Sequence, residues 1–143
     1  MDAKNEVISE LNEFLKGQYM GIHSYEHLIQ KIQDPVIKNE FQKIQQDHKE
    51  HAMMVAERIQ NLGGTPVDDE GPIGSMLNFM SQFKIPDDTK GILKTALKGE
   101  DYYGIQVSEK IVRGDLDNES YQLIESILDK DRQHVQLLNR LLH

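Results

Sequence analysis

Four stretches of the sequence place apolar residues at steps of three, four or seven, and polar side chains break each stripe near its middle. The first stripe carries Ile8, Leu11, Leu15, Ile22, Ile29 and Ile32, with Gln18 and Tyr25 on the same line. The second carries Ile37, Phe41, Ile44, Val55, Ile59 and Leu62, and His48 and His51 fill its gap. The third runs through Leu93, Leu97, Gly104, Val107 and Ile111 around Glu100; the fourth through Tyr121, Ile124, Leu128, Leu138 and Leu141 around Asp131 and His134. Such spacing is that of a helix with one buried face. No segment alternates with the period of two that a half-buried strand needs. The expectation is an all-α chain whose four inward faces meet, with their polar residues at one level.

The punctuation between the stripes sets the topology. Asp34-Pro35 ends the first helix and starts the second, because Asp caps and Pro is tolerated at the first helical position. Gly63-Gly64 stops the second helix, and "TPVDDEGPIG" reads as an irregular connection. Within that connection "SMLNFMSQF" has the pattern of a short amphipathic helix, with Met76, Leu77, Phe79, Met80 and Phe83 on its apolar side. "IPDD" then caps a third helix near Thr89, Gly114 ends it, and "DLDNES" leads into the fourth. The organisation expected is one domain over 1–143: a hairpin at about 3–62, a crossover at 63–88 and a second hairpin at about 89–142. The second helix spans roughly 35 to 40 Å at 1.5 Å per residue, and an extended link with a short helix can retrace that length. This yields two antiparallel hairpins joined by a long crossover, a four-helix bundle.

Composition removes several function classes. Without cysteine the chain can form no disulfide, iron–sulfur cluster or thiol nucleophile, so any metal must be held by nitrogen and oxygen. A net charge of −8 disfavours nucleic acid and mildly favours cations. There is no run of 18 apolar residues and no signal-peptide pattern at the N-terminus, so no membrane partner is expected and a cytoplasmic location is. His23 and His27 lie off the apolar stripe and read as surface histidines.

The two halves also resemble each other. "LKGQYMGIHSYE" in the first helix returns in the third as "LKGEDYYGIQVSE" with one residue inserted. A displacement of 83 carries His48-x-x-His51 onto Asp131-x-x-His134. Gln18 therefore corresponds to Glu100. Asp47, the acid next to the second-helix pair, falls about one step off the core face.

With its "KGQ", "KGE" and "KEHA" contexts, the chain resembles the ferritin-like superfamily, and within it the small bacterial bundles related to bacterioferritin and rubrerythrin. In that family the first and third helices each supply a Glu, and the second and fourth each supply Glu-x-x-His, to a di-iron site. The resemblance implies a ligand set of Gln18, His48, His51, Glu100, Asp131 and His134, with Tyr25 and Tyr103 beside it as hydrogen-bond donors or oxidisable groups. Gln, His and Asp stand at three positions where the family has Glu. Four carboxylates balance two divalent ions; Glu100 and Asp131 balance one, so a single ion per chain is expected, or a second held weakly. Imidazole and carboxylate suit iron, and manganese or zinc as well. Bacterioferritin-type haem ligation needs a methionine where this chain has Lys49, so no haem is expected. The chain ends with its fourth helix, which points to a homodimer or other small homo-oligomer rather than a storage cage. The functional expectation is a metal-binding, iron-oxidising protein using oxygen or peroxide. The alternative is a non-catalytic scaffold or regulatory bundle whose site is structural or empty.

Overall fold

The computed structural model describes residues 3–69, 85–111 and 115–143, apart from the side chains of Tyr103, Val107 and Ile111. The crossover helix over "SMLNFMSQF", the stop at Gly114, the role of Tyr103 and the inward placing of Val107 and Ile111 lie outside what it describes. Two uninterrupted helices come first, α1 (Ala3–Lys31) and α2 (Pro35–Asn61). The third helix is composite: α3 (Thr89–Lys98), a π-helical segment (Gly99–Gln106) and α4 (Val107–Ile111). The last is α5 (Asn118–Leu142). No strand occurs among the described residues.

Each helix boundary has a local cause. Asp34 accepts from the backbone N–H of Val36 at 2.9 Å and of Ile37 at 3.3 Å, and Pro35 opens α2. At the other end Gly63 takes φ +87°, and the amides of Gly63 and Gly64 donate to Gln60 and Ile59, each at 2.9 Å. That is a Schellman turn, which needs a residue without a Cβ penalty at positive φ. Gly64 is also required sterically, since a Cβ there would stand 2.7 Å from Ile8. Asp88 caps α3 through Gly91, and Asp117 caps α5 through Ser120.

Cross-helix pairs fix the directions. Asn12 reaches Thr65, Gln18 meets His48 and Gln45 donates to the Ile22 carbonyl, so α1 and α2 are antiparallel. Arg58 meets Asp117 while Asp47 meets His134, so α2 and α5 are antiparallel. Lys31 bridges to Asp87 and Tyr25 to Glu100, which sets α1 against the third helix.

The core divides into two apolar clusters. One gathers Leu11, Phe14, Leu15, Val55, Ile59, Ile124 and Leu128; the other Tyr25, Leu28, Ile32, Phe41, Ile44, Ile92, Leu93 and Leu138. Between them lies a buried polar layer of Gln18, His48, His51, Glu100, Asp131 and His134. Burying ionisable groups is costly unless they are paired or coordinate a metal, so this layer calls for a chemical explanation.

Two details depart from the expected stripes. Tyr121 is 47 % exposed, and Ser120, fully buried, takes the inward place at the start of α5. Arg58 Nε donates to the Ser120 hydroxyl at 3.0 Å while its guanidinium pairs with Asp117, and this polar tie sets the first turn of α5. The second departure is the π segment. The third helix carries one residue more than the first between its polar ligand position and its following glycine, and a π-helical turn absorbs such an insertion without breaking the helix.

Candidate metal centre

The polar layer converges on four side chains: His48 from α2, Glu100 from the π segment, and Asp131 and His134 from α5. One donor atom from each lies within 4.8 Å of the other three, and all four residues are buried. His48 Nε2 donates to Glu100 Oε1 at 2.7 Å, and His48 Nδ1 lies 3.2 Å from Gln18 Oε1 with Asp131 Oδ1 3.9 Å away. His134 Nδ1 faces Asp131 Oδ1 at 3.5 Å and Glu100 Oε1 at 3.6 Å, too long for good hydrogen bonds.

Several of these atoms have no partner. Glu100 Oε2, Asp131 Oδ1 and His134 Nδ1 are buried without a hydrogen bond. Leaving a buried polar atom unpaired costs about 1–3 kcal/mol, more when it is charged. Two of the three, Asp131 Oδ1 and His134 Nδ1, lie 3.5 Å apart and form the inner surface that a coordination cage turns toward its ion. The donor set, two imidazoles and two carboxylates, fits iron, manganese or zinc.

The electrostatics agree with the geometry. Burial opposes the charged form of His48, yet the Glu100 carboxylate, through charge and hydrogen bond, raises its pKa. Burial likewise opposes charge on His134, but polar contacts with Asp131 and Glu100, aided by Asp47, push it up to about 10. Glu100, despite burial, is held well below the usual carboxylate range by His48 and His134. The neighbouring carboxylates thus favour the protonated form of both imidazoles, most strongly at His134. A divalent ion would compete with those protons for the same nitrogen lone pairs.

The remaining marked residues take different places. Tyr25 is buried and its hydroxyl donates to Glu100 Oε1 at 2.8 Å; burial, then the Glu100 charge, raises its pKa well above the ordinary value. Gln18 holds His48 and stands outside the four-residue group. His51 also stands outside it: its ring lies 6.2 Å from that of His48, its Nδ1 is buried without a partner, and burial lowers its pKa. His27 is exposed, whereas His23 is only half-exposed.

Asp47 is the residue that the stripe undervalued. It lies off the core face, yet its Oδ2 accepts from His134 Nε2 at 2.8 Å. The bond keeps a proton on Nε2 and turns Nδ1 toward the carboxylates, as outer partners of metal-binding histidines do. A stripe drawn on α2 alone cannot register it, because its partner comes from α5.

Comparison with known proteins follows the same lines. Residues 6–112 match the family described as "Domain of unknown function (DUF2383)". No curated protein matches the chain. Two solved structures share its fold. One is a ferritin-like, diiron-carboxylate protein from Bacillus anthracis, 24 % identical, covering 100 % of this chain and 99 % of its own, with a TM-score of 0.70. The other is the bacterioferritin-related protein from Bacteroides fragilis, a dodecameric thioferritin, 20 % identical, covering 99 % of this chain and 86 % of its own, with a TM-score of 0.70. The bundle is ferritin-like in fold.

Proposed function

The chain belongs to the DUF2383 family, and we propose that it binds one divalent transition metal, iron in the first place, between the helices of a ferritin-like bundle. The observation that carries this reading is the convergence of His48, Glu100, Asp131 and His134, with Asp131 Oδ1 and His134 Nδ1 buried and unpaired inside it. The likeness to the diiron-carboxylate protein of Bacillus anthracis supports iron as the first candidate. Manganese and zinc suit the same donors.

In this reading the four residues hold the ion and the surroundings orient them. Asp47 keeps the His134 proton on Nε2, so that Nδ1 offers its lone pair. Tyr25 donates to Glu100 Oε1 and holds the carboxylate in place. Gln18 holds the outer nitrogen of His48, and His51 stands by as a further nitrogen ligand at the edge of the cluster. Bound iron would supply one-electron chemistry toward oxygen or peroxide, which makes oxidation of Fe(II) the activity proposed. The dodecameric relative, together with the amphipathic pattern read in the crossover, supports a homo-oligomer, with a dimer as the smallest form. Among the described residues no helix is long and apolar enough to cross a membrane, and a cytoplasmic site of action is part of the proposal.

The test is an anaerobic Fe(II) titration followed by exposure to oxygen. One ion bound per chain, then oxidation faster than in buffer, is the expected result. Saturable binding without accelerated oxidation would leave a metal-binding bundle with no oxidase activity. Absence of binding for Fe(II), Mn(II) and Zn(II) alike would overturn the reading in favour of a scaffold.

A further inference from the structure

A cavity of about 100 Å³ lies between α1 and the third helix, and it is open on one side. Its lining is mainly apolar, and it reaches inward to Glu100, His48 and Asp131. Four glycines border it, Gly17 and Gly21 on α1 and Gly99 and Gly104 on the π segment. A Cβ at Gly17 or Gly99 would meet nothing within 4 Å, so these two are not glycine because of close packing. Glycine costs about 1 kcal/mol relative to Ala inside a helix. Four of them about one opening leave space that ordinary side chains would fill.

The internal repeat locates the missing volume. The displacement of 83 that carries His48 onto Asp131 carries Tyr25 onto Ser108. Tyr25 fills its own place and donates to Glu100. Ser108, buried at the counterpart position, lines the cavity and is far shorter. One half of the bundle therefore has a phenol where the other half has a void.

A second observation shows what the void would accept. Glu100 is 4 % exposed and its Oε2 has no hydrogen-bond partner. That oxygen lies on the cavity side, 3.8 Å from where a Cβ on Gly104 would be. The inner wall thus offers an unpaired acceptor, and Met20, Leu28 and Ala96 offer apolar surface. An occupant needs an apolar body and one hydrogen-bond donor; an anion would bring a second acceptor to a wall that already lacks donors. For scale, an apolar cavity of roughly 150 Å³ holds benzene, and an opening lets a ring of that size project outward.

We propose that this glycine-bordered cavity is a binding site for a small uncharged alcohol or phenol, its body against Met20, Leu28 and Ala96 and its hydroxyl donating to Glu100 Oε2. The inference rests on the proposed metal centre for what the ligand would meet, and on the cavity alone for whether it binds. An organic molecule would then reach the centre from between α1 and the third helix, past Glu100.

The probe is phenol, titrated into the chelator-treated full chain and followed by backbone amide shifts. Saturable binding with Kd of about 1 mM or tighter is expected, with shifts centred on Gly17, Gly99 and Gly104. Anisole, which keeps the ring and lacks the donor, should bind about tenfold weaker. Gly99→Leu closes the mouth at a position where a Cβ has room, and Ser108→Tyr restores the symmetric side chain. Each should weaken phenol at least about tenfold, while metal stoichiometry and the unfolding midpoint are retained. Absence of saturable binding, anisole equal to phenol, or unchanged affinity in a folded Gly99→Leu protein would overturn the proposal. Phenol binding in a protein that holds no metal would support the cavity and count against the metal centre only.

Discussion

The two hairpins descend from one sequence pattern and divide the work of the centre unequally. The first, α1 and α2, is regular helix throughout and brings Gln18, His48 and His51, none of which is an acid. The second brings Glu100, Asp131 and His134, and its third helix carries the π-helical turn at the level of Glu100. All the negative charge of the four-residue cluster is thus on one hairpin, while the other supplies an imidazole and a carboxamide. A duplicated bundle keeps its packing because its apolar stripes are retained; the charge at its centre can be redistributed without disturbing them. On the proposed function, the number of ions would follow from where the carboxylates are rather than from the fold.

The largest effect should follow from removing the charged half. Glu100→Ala with Asp131→Ala takes away both carboxylates, and metal analysis after dialysis against Fe(II) or Zn(II) should return less than about a tenth of an ion per chain. His51→Ala, on the neutral half and outside the four-residue group, should retain an ion. Equal losses from the two proteins would show that the hairpins contribute alike.

A steep pH dependence comes next. Without metal, the pKa of His48 is raised and that of His134 is pushed up to about 10. A divalent ion must displace the His134 proton, so affinity should rise with pH by about tenfold per unit below that value. Calorimetry in buffers of different ionisation enthalpy should count at least one proton released per ion at neutral pH. Stability of the metal-free protein runs the other way. The raised pKa of His134 contributes stability that is full below its ordinary 6.5 and is lost as pH climbs through about 10. The depressed pKa of Glu100 contributes stability present above its ordinary 4.5 and lost as pH falls below it. The metal-free bundle should therefore gain most from this layer between pH 4.5 and 6.5, whereas the increment due to metal grows above that window. Denaturant melts with and without metal across this range would separate the two slopes.

The neutral half can also be changed toward the charged one. Gln18→Glu with His48→Glu supplies a carboxylate at each of the positions where the diiron pattern has one. Stoichiometry should move from one ion per chain toward two, with the second held more weakly. A variant that still binds one would mean that geometry around the π segment, rather than charge, limits the count.

Much of this arrangement is legible in the sequence, and the parts that are not share a cause. The stripes mark every helix that is described, Asp34-Pro35 and Gly63-Gly64 mark boundaries that the capping bonds explain, and the four residues that converge are all among the six at the stripe gaps. These are properties of one helix at a time. Asp47, Ser120 and Ser108 escape such reading because their roles arise between helices: the first on His134, the second on Arg58, the third beside a cavity bordered by α1. The π segment is intermediate. Its extra residue is visible as a one-residue offset between the repeats, but an insertion in text does not say whether a helix will kink, break or bulge.

The smallest effect concerns a bond that crosses between the halves. Tyr25 belongs to the first hairpin and serves the carboxylate of the second, donating to Glu100 Oε1. Tyr25→Phe removes one buried hydrogen bond to a charged acceptor, so the metal-free protein should lose about 1.5–3 kcal/mol in urea unfolding. In the metal-loaded protein the ion takes up most of the Glu100 charge, and the hydroxyl then faces a weaker acceptor. The loss there should be smaller than in the metal-free protein, and the difference between the two losses is the coupling between Tyr25 and the ion. Because that coupling is reciprocal, the same amount should appear as a slightly tighter metal in Tyr25→Phe. Identical losses with and without metal would mean that the ion and the hydroxyl do not meet at Glu100. The carboxylate would then be part of a hydrogen-bonded layer and not of the coordination sphere, and the division of labour between the hairpins would rest on Asp131 and His134 alone.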